Sequence, residues 1–372
     1  MTNSFSLRPR AKRYGRVLEN GRLVLAPDDG ITFAIPDPEG QVLALLDLLD
    51  GTRTIEAVAR ELQRWWPPLT VTDVREGVTA LAEAGLIEDA AAATLLSARQ
   101  QERYFSNLAF FSTYATLERS RYSFQEQLLR SHVLILGVGG VGSTLLLNVA
   151  GLGVGKITAV DCDVVELRNF ARQFLYSESD IGRPKLERAL ARVHAFNSEL
   201  ELVAVERRIT GPEDVAALVR DADLVLAAVD QPEDVRDWIN DACVSARVPF
   251  ITGGFHAGRG AYWSVDPGAS GCQRCRQLFA ERSGARAPER PERVNRGIGP
   301  VASLIGSLIA LEALRYLTRF AEPVAAGKVW LADFASGRVE VALEWPRLDD
   351  CPLCNRLRRW DRSEARRALA ER

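Results

Sequence analysis

The strongest constraint on the fold of this chain is a glycine-rich loop that directly follows an apolar run. Residues 133–136 read VLIL and residues 137–142 read GVGGVG. Glycines at this spacing, between a strand and a helix, let the backbone approach a phosphate at the helix N-terminus. The loop therefore predicts an α/β domain that binds a nucleotide, without saying which nucleotide. Its glycines are Gly137, Gly139, Gly140 and Gly142.

Apolar segments downstream of the loop recur in a regular rhythm. Helical patterns lie between the first four of these segments, and another follows residue 230. Near-continuous apolar strands that alternate with helices are typical of a mostly parallel, doubly wound, Rossmann-like sheet. A helix at 300–318 and a hairpin at 328–345 are expected after it. The strand candidates are 133–138, 156–161, 200–209, 223–230 and 248–254.

Bulk properties exclude several classes of protein. The 372 residues suffice for two domains, and 47% hydrophobic with 26% charged residues is ordinary for a globular chain. A net charge of -2 gives no electrostatic reason to expect nucleic-acid or membrane binding. Neither an uninterrupted apolar run of membrane-spanning length nor the apolar stretch of a signal peptide is found. These features predict a cytoplasmic protein, in which the six cysteines are metal ligands or core residues rather than disulfides.

The first ninety residues predict a small separate module. Two short strands, at 22–26 and 31–35, precede three helix candidates at 41–51, 54–65 and from about residue 70. In the third, Thr70 and Asp73 have the spacing of a capping box, and an apolar stripe follows them. The stretch 84–90 would close a wing, which gives a winged-helix (α+β) module. Its acidic balance disfavours a role in reading DNA.

These patterns divide the chain into three parts. We expect a winged-helix module at 1–92, a connector and arm at 93–130, and the nucleotide-binding domain at 131–372. The connector is predicted to be exposed and to lead into an amphipathic helix that ends near Leu129.

Residues after the second strand of the sheet favour one nucleotide over another. Asp161 ends that strand, where a ribose-binding carboxylate belongs. Adenylyl transfer gathers negative charge on a leaving pyrophosphate and needs cations nearby, whereas hydride transfer does not. One crossover supplies such groups. They are Asn169, Arg172, Gln173 and Lys185.

Lys185 is informative because lysine is rare in this chain. Of 47 basic residues, only those at 12, 156, 185 and 328 are lysines, so a surface filled at random would have arginine there. A solvated charge that opens a helix after Pro184 is the alternative interpretation. Asp230 ends another apolar strand at the carboxyl edge of the sheet, where it could hold Mg²⁺ or only cap the next helix. Together these residues favour ATP over a nicotinamide.

Several separated motifs between about residue 100 and residue 355 resemble the ThiF/MoeB superfamily, the adenylating enzymes related to ubiquitin-activating enzymes. The resemblance implies a homodimeric Rossmann-like enzyme that activates a carboxylate as its acyl-adenylate. It also implies that Asp161 binds the ribose, that Asn169, Arg172, Gln173 and Lys185 bind the phosphates, and that Asp230 binds Mg²⁺. The motifs are GVGGVG, VDCD, LRNFARQF, IGRPK, LVLAAVD, VPFITGG, CQRC, IGS and CPLC.

Two CxxC pairs lie far apart in the sequence. Cys272 and Cys275 form the first, and Cys351 and Cys354 form the second. Four thiolates at this spacing suit a tetrahedral, structural Zn²⁺ with no open position. A redox-active pair would begin a helix beside a thioredoxin-like strand, and no such pattern is present. Many members of the superfamily carry this zinc site.

The chain departs from the superfamily pattern in two places. The loop 281–300 contains no cysteine, which argues against a thioester and for direct transfer of the adenylate to an amine, amide or other nucleophile. Related arms read Arg-Tyr-x-Arg-Gln, with an arginine that reaches the partner subunit's ATP. Here Arg103 is kept, but Ser106 and Asn107 replace the second arginine and the glutamine. Arg121 is a candidate substitute.

The N-terminal module is similar to PqqD-like peptide-recognition modules, in ALLDLLDGTRTIEAVARELQ and DVREGVTALAEAGLIED. The resemblance implies a clamp for the leader of a ribosomally made precursor peptide. An extended leader would add a strand beside residues 31–35 and place apolar side chains against the helix at 71–84. A module that serves only dimerisation or stability is the alternative.

The leading hypothesis is ATP-dependent adenylation of a carboxylate or amide of such a precursor peptide, with Arg172, Lys185 and Asp230 as catalytic residues. Its rival is a non-catalytic, leader-binding adaptor that delivers the precursor to a partner cyclodehydratase. A sulfur-carrier activator would need a thiol near 281–300, and the cations argue against a nicotinamide oxidoreductase.

Overall fold

A computed structural model describes residues 7–12, 14–28, 31–284 and 297–356 of the chain. The chain forms two compact units, Met1–Glu126 and Gln127–Arg372. The charged tail after residue 356 and most of the loop 281–300 lie outside the described residues.

The first unit contains two small antiparallel sheets, one ordered β2-β3-β4 and the other pairing β1 with β5. Strand β2 was not predicted. It joins β3 through Asn20 and Gly21, whose φ angles of 51° and 70° fit a tight two-residue hairpin turn. The stretch 84–90 does not close a wing, because its strand β5 pairs with β1 instead. The winged-helix assignment as a whole stays a prediction. The strands are β1 (Pro9–Ala11), β2 (Gly15–Glu19), β3 (Arg22–Asp28), β4 (Ile31–Pro36) and β5 (Ile87–Asp89).

Three helices follow β4 near the predicted positions, and the third begins at the predicted capping box. The Thr70 hydroxyl accepts a hydrogen bond from the Asp73 amide at 3.2 Å, and the Asp73 carboxylate accepts one from the Thr70 amide at 2.7 Å. This confirms the capping box. Val74, Val78 and Leu81 form the buried face of that helix, as predicted. The three are α1 (Gln41–Leu48), α2 (Ile55–Leu62) and α3 (Val71–Glu83).

The predicted connector is largely exposed, and it contains helices that were not predicted. Much of it is helical, as α4 (Ala98–Arg103) and α5 (Phe105–Tyr114), before α6 (Arg121–Arg130). Leu108 and Phe111 are buried on one face of α5, and the Phe111 ring stacks on Phe124 with centroids 5.0 Å apart. Apolar residues at helical spacing bury one face in this way, a period that the polar residues around them concealed.

The second unit is built on one sheet of eight strands among its described residues, in the order β13-β12-β11-β10-β9-β6-β7-β8. Its strands are β6 (His132–Leu136), β7 (Lys156–Asp161), β8 (Glu201–Glu206), β9 (Leu224–Ala227), β10 (Phe250–His256), β11 (Arg259–Val265), β12 (Lys328–Asp333) and β13 (Arg338–Glu344). Its helices are α7 (Gly140–Leu152), α8 (Lys185–Phe196), α9 (Pro212–Val219), α10 (Val235–Ala246), α11 (Gln273–Arg282) and α12 (Gly299–Thr318).

The pairing of the strands confirms a doubly wound sheet and corrects its far side. Strands β8, β7, β6, β9 and β10 are parallel to one another, as their apolar sequences predicted. Strands β11, β12 and β13 add antiparallel pairs. The hairpin β12–β13 was predicted, but β11 was not.

Strand β6 lies between β7 and β9, so the direction of winding reverses beside it. Ligands of open α/β sheets bind at such a switch point, outside the carboxyl ends of the strands. The glycine-rich loop follows the carboxyl end of β6 and therefore occupies this position.

Helix α12 is long and apolar enough to cross a membrane by length and composition, the one such helix among the described residues. However, 67% of its apolar window is buried inside the unit. It packs against α7 and against strands β10 and β11. This burial is typical of a core helix, and the cytoplasmic location stays a prediction.

Candidate functional site

Backbone geometry requires glycine at two positions of the loop. Gly137 has a φ of +90°, and a Cβ there would lie 2.8 Å from the Ala228 carbonyl oxygen. A Cβ on Gly142 would lie 1.9 Å from the Gly137 carbonyl oxygen. Both distances are far inside van der Waals contact. Only glycine at these two positions allows the loop to turn tightly enough for its backbone amides to face a ligand.

A matched pair of substitutions tests this geometry. We expect Gly142→Ala to lower the free energy of unfolding by about 2–3 kcal/mol, because helix α7 must shift to admit the methyl group. Gly139→Ala should be tolerated, because the nearest atom to its added Cβ is the Gln173 amide nitrogen at 3.8 Å. Chemical denaturation of both variants checks the prediction. Equal stability of the two would contradict it.

Asp161 fixes the loop to the end of β7. One carboxylate oxygen accepts the Val138 amide at 2.7 Å, and the other accepts the amides of Cys162 and Asp163, both at 2.8 Å. The Val138 carbonyl in turn accepts the Tyr176 hydroxyl at 2.9 Å. Burial raises the pKa of Tyr176, so this hydroxyl stays a donor. A carboxylate has about four acceptor positions. The three used here leave room for the ribose predicted at Asp161.

The crossover between β7 and α8 returns to the glycine loop. The stem of Arg172 lies 3.2 Å from the place of a Cβ on Gly140, at the start of α7. Asn169 is buried, and its side-chain oxygen accepts the Glu166 amide at 3.0 Å. Gln173 is only 2% exposed, and its side-chain oxygen has no hydrogen-bond partner among the described residues. A buried, unsatisfied amide oxygen beside a phosphate-type loop calls for a ligand or water that donates to it.

Lys185 is the first residue of α8, and its side chain is almost wholly buried. Its Nζ donates to Asp163 Oδ2 at 2.9 Å. Sequence reasoning missed Asp163. The sequence VDCD at the end of β7 contains it, but no local pattern says that its partner lies 22 residues onward.

Asp230 lies at the same edge of the sheet, three residues beyond β9. It is exposed, and within the described chain its carboxylate has no hydrogen bond or ion pair. The Ala228 carbonyl, two residues before it, touches Gly137 of the loop. The structure thus brings Asp161, Arg172 and Gln173 to the loop, links Lys185 to Asp161 through Asp163, and places Asp230 on the same strand-end row. A cradle of glycine, cations and acceptors fits a nucleoside triphosphate, and a free carboxylate fits a hard divalent cation.

The first unit settles one question about the arm. Arg121 does not offer a free guanidinium, because it pairs with Glu88, a carboxylate that is 2% exposed. Arg10 donates to the same carboxylate at 2.6 Å. The suggested substitution of Arg121 for the missing arginine stays a prediction, which would require Arg121 to leave Glu88. Arg103 is exposed at the end of α4, and its role stays a prediction.

The four predicted zinc ligands come together at the antiparallel side of the sheet. Their sulfurs all lie within 4.8 Å of one another, with separations of 3.6–3.8 Å along three edges of the cluster. Four sulfurs about 2.3 Å from a tetrahedral Zn²⁺ are about 3.8 Å apart. All four are buried, so the cluster can hold a closed, structural ion. They are Cys272, Cys275, Cys351 and Cys354.

Neighbouring groups fix this cluster. The Trp345 indole donates to the carbonyls of Gly271 and Cys272, both at 3.1 Å. The Leu348 amide donates to the Cys275 sulfur at 3.4 Å. Such outer contacts orient the ligands of a metal. The cluster therefore joins α11 to the segment around residue 351.

Comparisons with known proteins agree with this geometry. A model of the ThiF family matches residues 111–353. The sulfur carrier protein ThiS adenylyltransferase of Escherichia coli (strain K12) is 38% identical over 232 residues, which span 62% of this chain and 88% of that protein. The molybdopterin-synthase adenylyltransferase of the same strain is 34% identical over 216 residues, which span 56% of this chain and 81% of that protein.

Solved structures extend the likeness over both units. A crystal structure of E. coli MccB with ATP has a TM-score of 0.74 at 20% identity, and covers 93% of this chain and 99% of that one. The microcin C7 biosynthetic enzyme MccB in complex with N-formylated MccA gives 0.73 at 19% identity, with the same coverage. The crystal structure of PaaA gives 0.70 at 22% identity, and covers 90% of this chain and 99% of that one. At such identities the shared feature is the fold.

Proposed function

The chain belongs to the ThiF family of ATP-dependent adenylyltransferases, and we propose that it adenylates a ribosomally made peptide which it recognises through a leader segment. The observation that carries the adenylation site is the contact of the glycine loop with Asp161 and with the crossover residues. Glycines, an acceptor carboxylate, the half-buried Arg172 and the buried Lys185 lie there near one strand-end row.

The proposed reaction places a carboxylate or amide oxygen of the peptide against the α-phosphorus. The new oxygen–phosphorus bond replaces the bond to the β-phosphate, and pyrophosphate leaves with the electron pair. We assign Arg172 and Lys185 to the charge that grows on the pyrophosphate, and Asp161 to the ribose. We assign Asn169 and Gln173 to the phosphates as well. We assign Asp230 to Mg²⁺, which would supply positive charge to the phosphates when bound.

The peptide part of the proposal draws on the structural neighbours. MccB has been solved with N-formylated MccA and with MccA-N7isoASN. Both names describe a peptide, because one contains an N-formyl group and the other a numbered residue. The likeness to MccB includes the first unit, since it covers 93% of this chain. That unit presents an open strand edge at β4. These points support, for this chain, a leader-binding role of the first unit.

The open edge of β4 can be tested residue by residue. The Asp37 amide donates to the Gly21 carbonyl at 2.8 Å. Hydrogen bonding alternates along an antiparallel ladder, so the amides of Phe33 and Ile35 point to β3 and that of Ala34 points outward. By the same alternation, Arg16 points outward on β2, the opposite edge. Ala34 and Arg16 are therefore matched positions on the two free edges of the described sheet.

We expect Ala34→Pro to weaken leader binding about tenfold or more, because proline removes the outward donor and crowds an added strand. Arg16→Pro should bind as well as the wild type. Fluorescence anisotropy measures both, with a labelled peptide selected from a random display library on the wild-type chain. The reverse outcome would place the peptide on β2. Unchanged binding in both variants would contradict strand addition altogether.

The whole proposal is tested by exchange of labelled pyrophosphate into ATP, with Mg²⁺ and the selected peptide. Exchange that depends on the peptide supports peptide adenylation. Exchange without any dependence on peptide would limit the function to the family's adenylation chemistry. If the folded chain bound peptide but neither bound ATP nor catalysed exchange, the adaptor hypothesis would replace the enzyme. The homodimer implied by the family resemblance stays a prediction, which sedimentation measures directly.

A further inference from the structure

Among the described residues, Asp163 is the one hydrogen-bond partner of the Lys185 ammonium group, and the two side chains differ sharply in exposure. The Lys185 side chain is 6% exposed, whereas that of Asp163 is 57% exposed. The ammonium group is therefore withdrawn from water and meets its counter-charge at the surface of the site. A buried ammonium is costly unless it is paired, and the 2.9 Å contact supplies that pair.

The backbone holds this pair in register. The Lys185 amide donates to the Asp163 carbonyl at 2.9 Å, so the two residues are bonded through main chain and side chain alike. Val165 and Gly182 make further main-chain bonds between the same two segments. The pair is therefore built into the crossover, unlike a surface ion pair between two freely moving side chains.

A second chain of bonds connects the pair to the glycine loop. The Asp163 amide donates to one oxygen of Asp161, and the other oxygen of Asp161 accepts the Val138 amide of the loop. Two carboxylates in series thus link the loop that would cradle the phosphates with the lysine that would neutralise them. Three hydrogen bonds in series thus connect the loop with the Lys185 ammonium group.

The position of Lys185 on its helix is unfavourable without such a partner. It is the first residue of α8, where the helix dipole is positive and acidic side chains are preferred. Its ammonium has three donors. Asp163 uses one of them and leaves two for a phosphate. The carboxylate thus offsets the cost of a cation at this place without consuming its hydrogen-bonding capacity.

We propose that Asp163 is a positioning residue that holds the Lys185 ammonium in line with the glycine loop for the departing pyrophosphate. This inference rests on the proposed assignment of Lys185 to the phosphates. In this proposal Asp163 determines the position of the ammonium group, and Lys185 supplies the positive charge.

The small number of lysines gives a readout that is independent of activity. Acetylation by acetic anhydride, followed by peptide mass spectrometry, reports each amine separately. Lys156 and Lys328 serve as internal references, since their side chains are 42% and 38% exposed. We expect Lys185 to be labelled slowly in the wild type. In Asp163→Asn, which keeps the shape and removes the charge, labelling of Lys185 should rise about tenfold while both references stay unchanged.

The kinetic expectation separates positioning from folding. In the exchange assay, Asp163→Asn should lower kcat about tenfold and leave the KM for ATP within about threefold. The reason is that a displaced Lys185 ammonium stabilises the charge on the leaving pyrophosphate less well, which affects the transition state more than the binding of ATP. Asp163→Glu, which restores the carboxylate, should recover slow labelling and part of kcat. Glu187 lies on the same helix as Lys185 and is an exposed partner of Arg183. Glu187→Gln is therefore the matched control, in which neither lysine labelling nor kcat should change.

Two outcomes would overturn the inference. One is slow labelling of Lys185 in Asp163→Asn with kcat within twofold of the wild type. The other is faster labelling of all lysines together, which is the signature of general unfolding. Wild-type kinetics in Lys185→Ala would instead contradict the assignment of Lys185 itself, so failure of the underlying function is distinguishable from failure of this inference.

Discussion

Replacing Lys185 by alanine is expected to slow pyrophosphate exchange about 100- to 1,000-fold, which corresponds to about 2.7–4 kcal/mol of lost transition-state stabilisation. The reason is that the Lys185 ammonium group is buried, so water screens little of its attraction to the negative charge that develops on the departing pyrophosphate. The variant should still fold, because the partner carboxylate of Asp163 is 57% exposed and water can solvate it once the lysine is gone. Exchange kinetics and a thermal melt on the same preparation check both statements.

Lys156→Ala is the matched control for this variant. Lys156 lies in the same unit and pairs with Glu201 at 3.0 Å, but both side chains are exposed. Its removal should leave exchange within about twofold of the wild type, since exposed ion pairs contribute little. Asp230→Ala, run beside it, should raise the Mg²⁺ requirement rather than remove the response to ATP. An exchange rate in Lys185→Ala equal to that of Lys156→Ala would refute the phosphate assignment.

Cys351→Ser is expected to empty the zinc site and to lower the melting temperature by about 10 °C or more. Loss of a structural metal is among the few single changes that cost about 4–5 kcal/mol, and each 1 kcal/mol shifts the melting point of a unit this size by about 2–4 °C. Cys351 belongs to the segment that the cluster ties to α11, so three remaining thiolates would no longer close that link. Elemental analysis and scanning calorimetry measure the two effects.

Cys162→Ser is the control for that measurement, because this half-buried cysteine lies outside the cluster. It should keep one zinc per chain. A full equivalent of zinc in Cys351→Ser, with an unchanged melt, would show that the four sulfurs are not a metal site. A chelator that removes zinc from the wild type should reproduce the lower melting temperature.

Local patterns in the sequence were sufficient where one segment determines its own structure. The apolar rhythm predicted the five parallel strands, and Thr70 with Asp73 predicted a helix start. Spacing alone predicted that two distant CxxC pairs share a metal, because no single pair can complete a tetrahedron. In the strands and the helix start the physical requirement is written in neighbouring residues, and in the cysteine pairs it follows from the number of ligands that zinc needs.

Pairings across the fold were not accessible in this way. Asp163 gives no local signal of its bond to Lys185, and Arg121 gives none of its bond to Glu88. Strand β11 was hidden because an antiparallel addition to a parallel sheet depends on the partner strand rather than on its own composition. The site residues could be named from sequence, whereas the groups that hold them in place required the fold.

The order of the strands along the chain determines which stretch of sequence encodes the nucleotide site. Every residue of the second unit that we assign to the nucleotide comes from one unbroken stretch, residues 137–230, at or just beyond the carboxyl ends of β6, β7 and β9 and in the crossover that leads to α8. The antiparallel strands and the cysteine cluster are encoded entirely afterwards. Helix α12 also belongs to this later stretch, and because it packs against α7, the helix that follows the glycine loop, the later stretch supports the nucleotide site without supplying any of its assigned residues.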